Sequence, residues 1–128
     1  GIDVLPTLCD YAGLTVPEGV TGASLRAAID DGDSDGAGRD HVVVELHPDT
    51  EDLDLAARIV VSRQFKYVAF SSGDRREMLF DLAADPGETQ DLAALPGLED
   101  ILSRHRRWLS EWNATTGDTF VADPGRGS

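Results

Sequence analysis

Lysine is almost missing from this chain of 128 residues: Lys66 stands alone beside ten arginines, against 17 aspartates and seven glutamates. The resulting net charge of −13 excludes a protein that tracks nucleic-acid phosphates, because that binding needs clustered cations. A single cysteine, Cys9, excludes an intrachain disulfide and a multi-cysteine zinc site. No run of 18 apolar residues exists, so no transmembrane helix is expected and no membrane partner is inferred. Nucleophile elbows of the G-x-S-x-G kind, phosphate loops and dinucleotide fingerprints are absent as well. What is present is the 41% hydrophobic share of an ordinary globular domain, on a chain long enough to bury a core without staples.

The acidic charge is carried by Asp more than Glu and the basic charge by Arg. Such a surface repels itself in dilute buffer and is relieved by salt, which reads as adaptation to high salt; an ordinary acidic protein is the alternative. The chain opens on Gly1-Ile2-Asp3 without a start Met or signal peptide and runs straight into an apolar helix pattern. We therefore expect a piece of a longer polypeptide.

Periodicity divides the chain. Residues 3–12 read as a short helix with Asp3 as N-cap and Pro6 in the first turn. Val4, Leu5, Leu8, Cys9 and Ala12 form its apolar stripe and Gly13 its end. Ser24 caps a second short helix through Ile29. Residues 30–40 are too polar to bury and read as a solvated loop. The period then changes: 41–45, 58–62, 65–71 and 78–82 read as strands joined by spacings short enough for antiparallel hairpins. Leu98, Ile101, Leu102, His105, Trp108, Leu109 and Trp112 recur at helical spacing and predict an amphipathic helix over 98–112. From Thr116 the tail holds glycines and a proline and is expected to fray. The fold class expected is α+β: a four-stranded antiparallel sheet packed on a long C-terminal amphipathic helix, after two short helices.

Few residues point to chemistry on their own. Cys9 lies on an apolar stripe with no basic neighbour in sequence and reads as a small buried hydrophobe. Asp31-Gly32-Asp33-Ser34-Asp35-Gly36 matches the first half of an EF-hand loop, but Val42 stands where the bidentate Glu belongs and a strand follows, so no tight calcium site is expected. His41, His47 and His105 share no metal-ligand spacing, and His105 on the apolar face reads as a hydrogen-bonded core residue. Glu45-Leu46-His47 leaves a strand for a polar loop, where sites tend to sit, though a solvated strand end explains it too. Asn113-Ala114-Thr115 is a glycosylation sequon in form only.

Three segments in order carry more. Residues 2–13 (Ile-Asp-Val-Leu-Pro-Thr-Leu-Cys-Asp-Tyr-Ala-Gly), followed by Pro17 and Gly22-Ala23-Ser24-Leu25, resemble the stretch after the catalytic core of sulfatases. Residues 58–68 (Arg-Ile-Val-Val-Ser-Arg-Gln-Phe-Lys-Tyr-Val) resemble that family's hairpin, and residues 79–93, Leu-Phe-Asp-Leu-Ala-Ala-Asp-Pro-Gly-Glu onward, its Asp-Leu and Asp-Pro-x-Glu tag. The resemblance covers residues 2–112 and implies the C-terminal portion of a sulfatase-like hydrolase of the alkaline-phosphatase superfamily. Residues 1–40 would end the catalytic α/β domain and carry an acidic linker, 41–115 would form the C-terminal subdomain, and 116–128 the tail.

The resemblance also implies what lies elsewhere. Sulfatases attack sulfur with a formylglycine made in a Cys-x-Pro-Ser-Arg motif, beside a calcium ion. Cys9 is followed by Asp-Tyr-Ala-Gly and Asp30-Asp31 lies in the wrong context, so neither catalytic nor metal residues are expected in this chain, which alone should be inactive. Its expected partner is the N-terminal catalytic domain, and the parent's substrate a sulfated small molecule or glycan. Because sulfatase-like enzymes complete the substrate end of the pocket with this subdomain, Glu45, His47 and Arg58 are the expected substrate-contacting residues. Pairing of Arg58 with Asp52 or Asp54 is the plainer alternative. The same segment of a phosphonate or phosphodiester hydrolase, and a stand-alone acidic binding module, remain the competing readings.

Overall fold

The structure, a computed structural model, describes residues 2–30, 39–47 and 55–122. Its elements are α1 (Val4–Ala12), α2 (Arg26–Asp30), β1 (His41–Leu46), β2 (Ala57–Ser62), β3 (Phe65–Phe70), β4 (Glu77–Asp81) and α3 (Glu99–Thr116). They fall into two compact units, residues 1–39 and 40–128.

In the first unit α1 ends as its sequence demands. Gly13 takes the left-handed conformation at φ 67°, and Leu14 N–H returns to Cys9 O at 2.8 Å. Asp3 precedes the helix but does not cap it with its side chain. Its carboxylate is instead taken by Ala23 N–H at 2.8 Å and by both Nη atoms of Arg39, each at 2.7 Å. Two longer-range donors outcompete the local cap. Ser24 does act as expected, its Oγ accepting Arg26 N–H at 3.1 Å while donating to Asp10 at 2.6 Å. Gly22 is required by contact: a Cβ there would lie 1.9 Å from Ile2 O. The expected apolar stripe of α1 is largely bare. Cys9 is buried, as read, but Val4, Leu5 and Leu8 remain 59%, 47% and 60% exposed.

The second unit is the expected antiparallel meander, in strand order β1-β2-β3-β4. Register assigns each strand residue to a face, because successive side chains alternate. One face carries His41, Val43, Glu45, Arg58, Val60, Ser62, Phe65, Tyr67, Ala69, Glu77, Leu79 and Asp81. Helix α3 covers it with Leu102, His105 and Leu109 buried and Trp108 and Trp112 packed alongside. The opposite face carries Val42, Val44, Leu46, Ala57, Ile59, Val61, Lys66, Val68, Phe70, Met78 and Phe80, apolar at every position but one.

The segment after β4 is knitted by carboxylates. Asp81 accepts the N–H of Ala83 and Ala84, Asp85 those of Thr89 (2.6 Å) and Gln90 (2.9 Å), and Asp91 those of Leu79 and Ala93. These bonds hold the Asp81 and Asp85 carboxyls below their usual range. The turn puts Glu88 at φ 53° and brings its carboxylate 2.6 Å from Lys66 Nζ, which pairs this ammonium.

Residues 117–122 of the expected tail are described, whereas 123–128 lie outside the described residues. Helix α3 runs four residues past the apolar pattern, to Thr116, before Gly117 ends it at φ 73°. Residues 118–122 then fold back, and Phe120 is buried at 9% exposure. Asn113 Nδ2 donates to Phe120 O at 2.9 Å, and the Arg58 guanidinium lies 4.8 Å from the Phe120 ring centre. Within 117–122 one aromatic and one aspartate thus find a partner on the sheet in Arg58.

Candidate functional site

Antiparallel pairing of β1 and β2 sets Glu45 directly opposite Arg58 on the α3 side of the sheet, and His47 follows just beyond the end of β1. Arg58 is 6% exposed. Its Nε and Nη2 donate to the two carboxylate oxygens of Asp118 at 2.7 and 3.1 Å, and Nη1 donates to Ala57 O at 2.9 Å. Glu45 stands 3.7 Å away with its side chain 59% exposed, and His47 is exposed. The bidentate bond from Arg58 holds the Asp118 carboxyl below its ordinary value. The structure thus brings Glu45 and Arg58 together, but two of the guanidinium's N–H groups are spent on Asp118 and a third on Ala57 O. Asp52 and Asp54 lie outside the described residues, and Asp118 was beyond reach of local sequence reasoning because it is 60 positions away.

A second group surrounds Trp108. His41 stacks on its indole with ring centres 4.5 Å apart and 15° between planes, and His105 meets it edge-on at 5.0 Å. His105, 2% exposed, bonds Ile101 O at 2.8 Å through Nδ1 and Ser62 Oγ at 3.1 Å through Nε2. It is the satisfied core histidine that its helical position suggested. Burial lowers the pKa of both imidazoles and favours their neutral forms. Beside them opens a cleft of about 530 Å³, between Arg63 and Gln64 at the β2–β3 turn and Arg104 on α3. On the other flank Tyr67 donates to Glu77, which also takes a two-point ion pair from Arg106. Burial, then the Glu77 charge, raises the Tyr67 pKa.

Among the described residues no group of three His, Cys, Asp or Glu side chains could hold a metal ion. The Asp31–Asp35 half-loop lies outside the described residues. Nor is any helix among them long and apolar enough to cross a membrane. The ion pairs and stacks above hold the fold together; none pairs a nucleophile with a base.

Comparison with known proteins agrees with that structural character. A family model described as "N-sulphoglucosamine sulphohydrolase, C-terminal" matches residues 1–115. The Delta 4,5-hexuronate-2-O-sulfatase of Bacteroides thetaiotaomicron is 34% identical over 93% of this chain but only 24% of its own length. Human arylsulfatase K is 30% identical over 72% of the chain and 18% of its own length. Among solved structures, a 2-O GAG sulfatase superposes with a TM-score of 0.78 at 35% identity, over 95% of this chain and 27% of that one. The phosphonate monoester hydrolase of Agrobacterium radiobacter superposes with a TM-score of 0.68 at 26% identity, over 88% and 24%. The chain therefore spans about a quarter of the length of the proteins it matches. Matched by that family model over residues 1–115 and 34% identical to a sulfatase over 93% of its length, this chain belongs to the family of sulfatase C-terminal domains.

Proposed function

We propose that the chain serves a sulfate-ester hydrolase as the structural cap of its active-site domain, with its β1 end turned to a sulfated saccharide substrate. The match over residues 1–115 to a sulfatase C-terminal model, with 34% identity to a sulfatase over 93% of the chain, carries this reading. The formylglycine and calcium of such an enzyme would belong to the catalytic domain. Cys9 has the wrong neighbours for the modified cysteine and is buried. At the edge of the cap, the exposed Glu45 carboxylate and His47 imidazole would meet substrate hydroxyl or anionic groups. Arg58 would act through them, holding β1, β2 and the Asp118 return in register.

The phosphonate monoester hydrolase likeness favours a second reading, the same cap on a phosphonate-cleaving enzyme. Product release separates the two. The 128-residue chain should release neither sulfate nor phosphonate above background. The polypeptide extended to full sulfatase length should release sulfate from an activated aryl sulfate with calcium present. Activity of the chain alone, or preferential turnover of a phosphonate monoester by the extended polypeptide, would overturn the proposal. In that longer enzyme His47→Ala should raise KM for a sulfated oligosaccharide several-fold and leave the aryl sulfate nearly unaffected. Equal effects on both would remove His47 from the site.

A further inference from the structure

We infer that the cleft between the β2–β3 turn and α3 is a binding site for a sulfated sugar unit, separate from the edge at Glu45 and His47. Pairing of His41 with Ser62 and of Leu46 with Ala57 sets the cleft and that edge at opposite ends of the β1–β2 ladder. Five residue steps of about 3.4 Å put them about 17 Å apart, so one sugar unit cannot occupy both. Charge singles the cleft out. Arg26, Arg39, Arg58 and Arg106 each hold a carboxylate, whereas Arg104 makes no ion pair among the described residues. Its exposed guanidinium lines the cleft with that of Arg63, and Asp40 is the one carboxylate in the lining. The net charge of −13 repels a long polyanion, so this local excess of cations selects a single anionic group on a short ligand. Guanidiniums donate paired N–H groups, the fork that matches a sulfate or a carboxylate.

The wall that carries Arg63 is held in place. Ser62 Oγ accepts Phe65 N–H at 3.1 Å and donates to Phe65 O at 3.0 Å, while Leu82 N–H donates to Gln64 O at 2.7 Å and Gln64 Nε2 to Asp81 at 2.9 Å. A ligand meeting this turn therefore finds it already ordered, which lowers the entropy lost on binding. Phe65, Ile101 and Trp108 supply apolar surface for the C–H face of a sugar ring, and the volume of about 530 Å³ suits a small molecule. The Gln64 amide oxygen and the Asp40 carboxylate accept from its hydroxyls. That the anion is a sulfated sugar rests on the sulfatase reading above; the anion site does not.

The two tryptophans provide the test, because Trp108 lines the cleft and Trp112 does not. Glucosamine 6-sulfate, titrated into the 128-residue chain at about 0.1 M KCl, should shift the Trp108 indole N–H resonance saturably and leave that of Trp112 in place. N-acetylglucosamine should shift neither, and inorganic sulfate should bind about tenfold more weakly than the sulfated sugar. Arg104→Gln should weaken binding of the sugar about five- to tenfold, the worth of one charge-assisted hydrogen bond. Arg107→Gln, whose parent side chain reaches Glu111 on the outer side of α3, should leave it unchanged. An unsaturable shift, an equal response of both indoles, sulfate binding as tight as the sugar's, or indifference to Arg104→Gln would overturn the proposal. The sulfatase reading fails separately, through absent sulfate release from the polypeptide of full sulfatase length.

Discussion

At the scale of single residues, the sharpest tests concern buried groups with named partners. Arg58→Ala leaves the part-buried Asp118 carboxylate without its guanidinium partner and should cost about 2–3 kcal/mol. That falls somewhat short of a fully buried pair, because Asp118 keeps some contact with water. Arg58→Ala combined with Asp118→Ala should cost less than the sum of the two single changes, a coupling readable from urea unfolding of all four proteins. Trp108→Ala, which removes the ring between His41 and His105, should cost about 3 kcal/mol, while Arg104→Ala on the outer side of α3 should stay within about 0.5 kcal/mol. Equal midpoints for Trp108→Ala and Arg104→Ala would show that α3 is not docked through this side chain.

The same two histidines set a pH dependence. Both have folded pKa values lowered by burial, so between those values and the unfolded value near 6.5 the unfolded chain binds more protons. Their contribution is complete above that unfolded value and is lost as pH falls towards the folded ones. Asp81, Asp85 and Asp118, also lowered, begin to lose theirs only below about pH 4. Thermal midpoints at high salt, where screening mutes the −13 charge, should fall between pH 7 and pH 5. His41→Phe, which keeps the stack, should flatten that slope.

At the scale of elements, the segment after β4 is held by side chains rather than by a helix or a ladder. Asp85→Ala removes the acceptor of the Thr89 and Gln90 amides and should lower their hydrogen-exchange protection while leaving the β2–β3 amides unchanged. This part of the fold was legible in sequence. Asp81, Asp85 and Pro86 are turn formers with a mechanism, and the two aspartate carboxylates accept backbone N–H groups of the turn. Strand positions came through to within about one residue at most ends, because alternation and β-branching mark them locally. The end of α3 did not, since residues 113–116 lack an apolar pattern and remain helical until Gly117. The substrate edge was only partly legible: the pairing of Glu45 with Arg58 follows from hairpin register, but the claim of Asp118 on Arg58 is a tertiary event.

At the scale of the whole molecule, charge governs response to solvent. Raising KCl from about 0.1 M to about 2 M shortens the screening length from about 10 Å to a few ångströms, so the thermal midpoint should climb. Potassium chloride is preferred to sulfate, which stabilises most proteins by exclusion. A flat or falling midpoint would count against adaptation to salt.

The sequence by itself determined the α+β class, the meander, the amphipathic helix and the sulfatase likeness, because each is written in local periodicity or in motifs that keep their order. Only the tertiary structure decided that α1 leaves most of its apolar stripe bare, that Asp3 serves Ala23 and Arg39 instead of its own helix, and that Phe120 and Asp118 close over Arg58. Those outcomes depend on partners 20 to 60 residues away. Local pattern marks which residues share a face; it does not say which distant side chain will meet them.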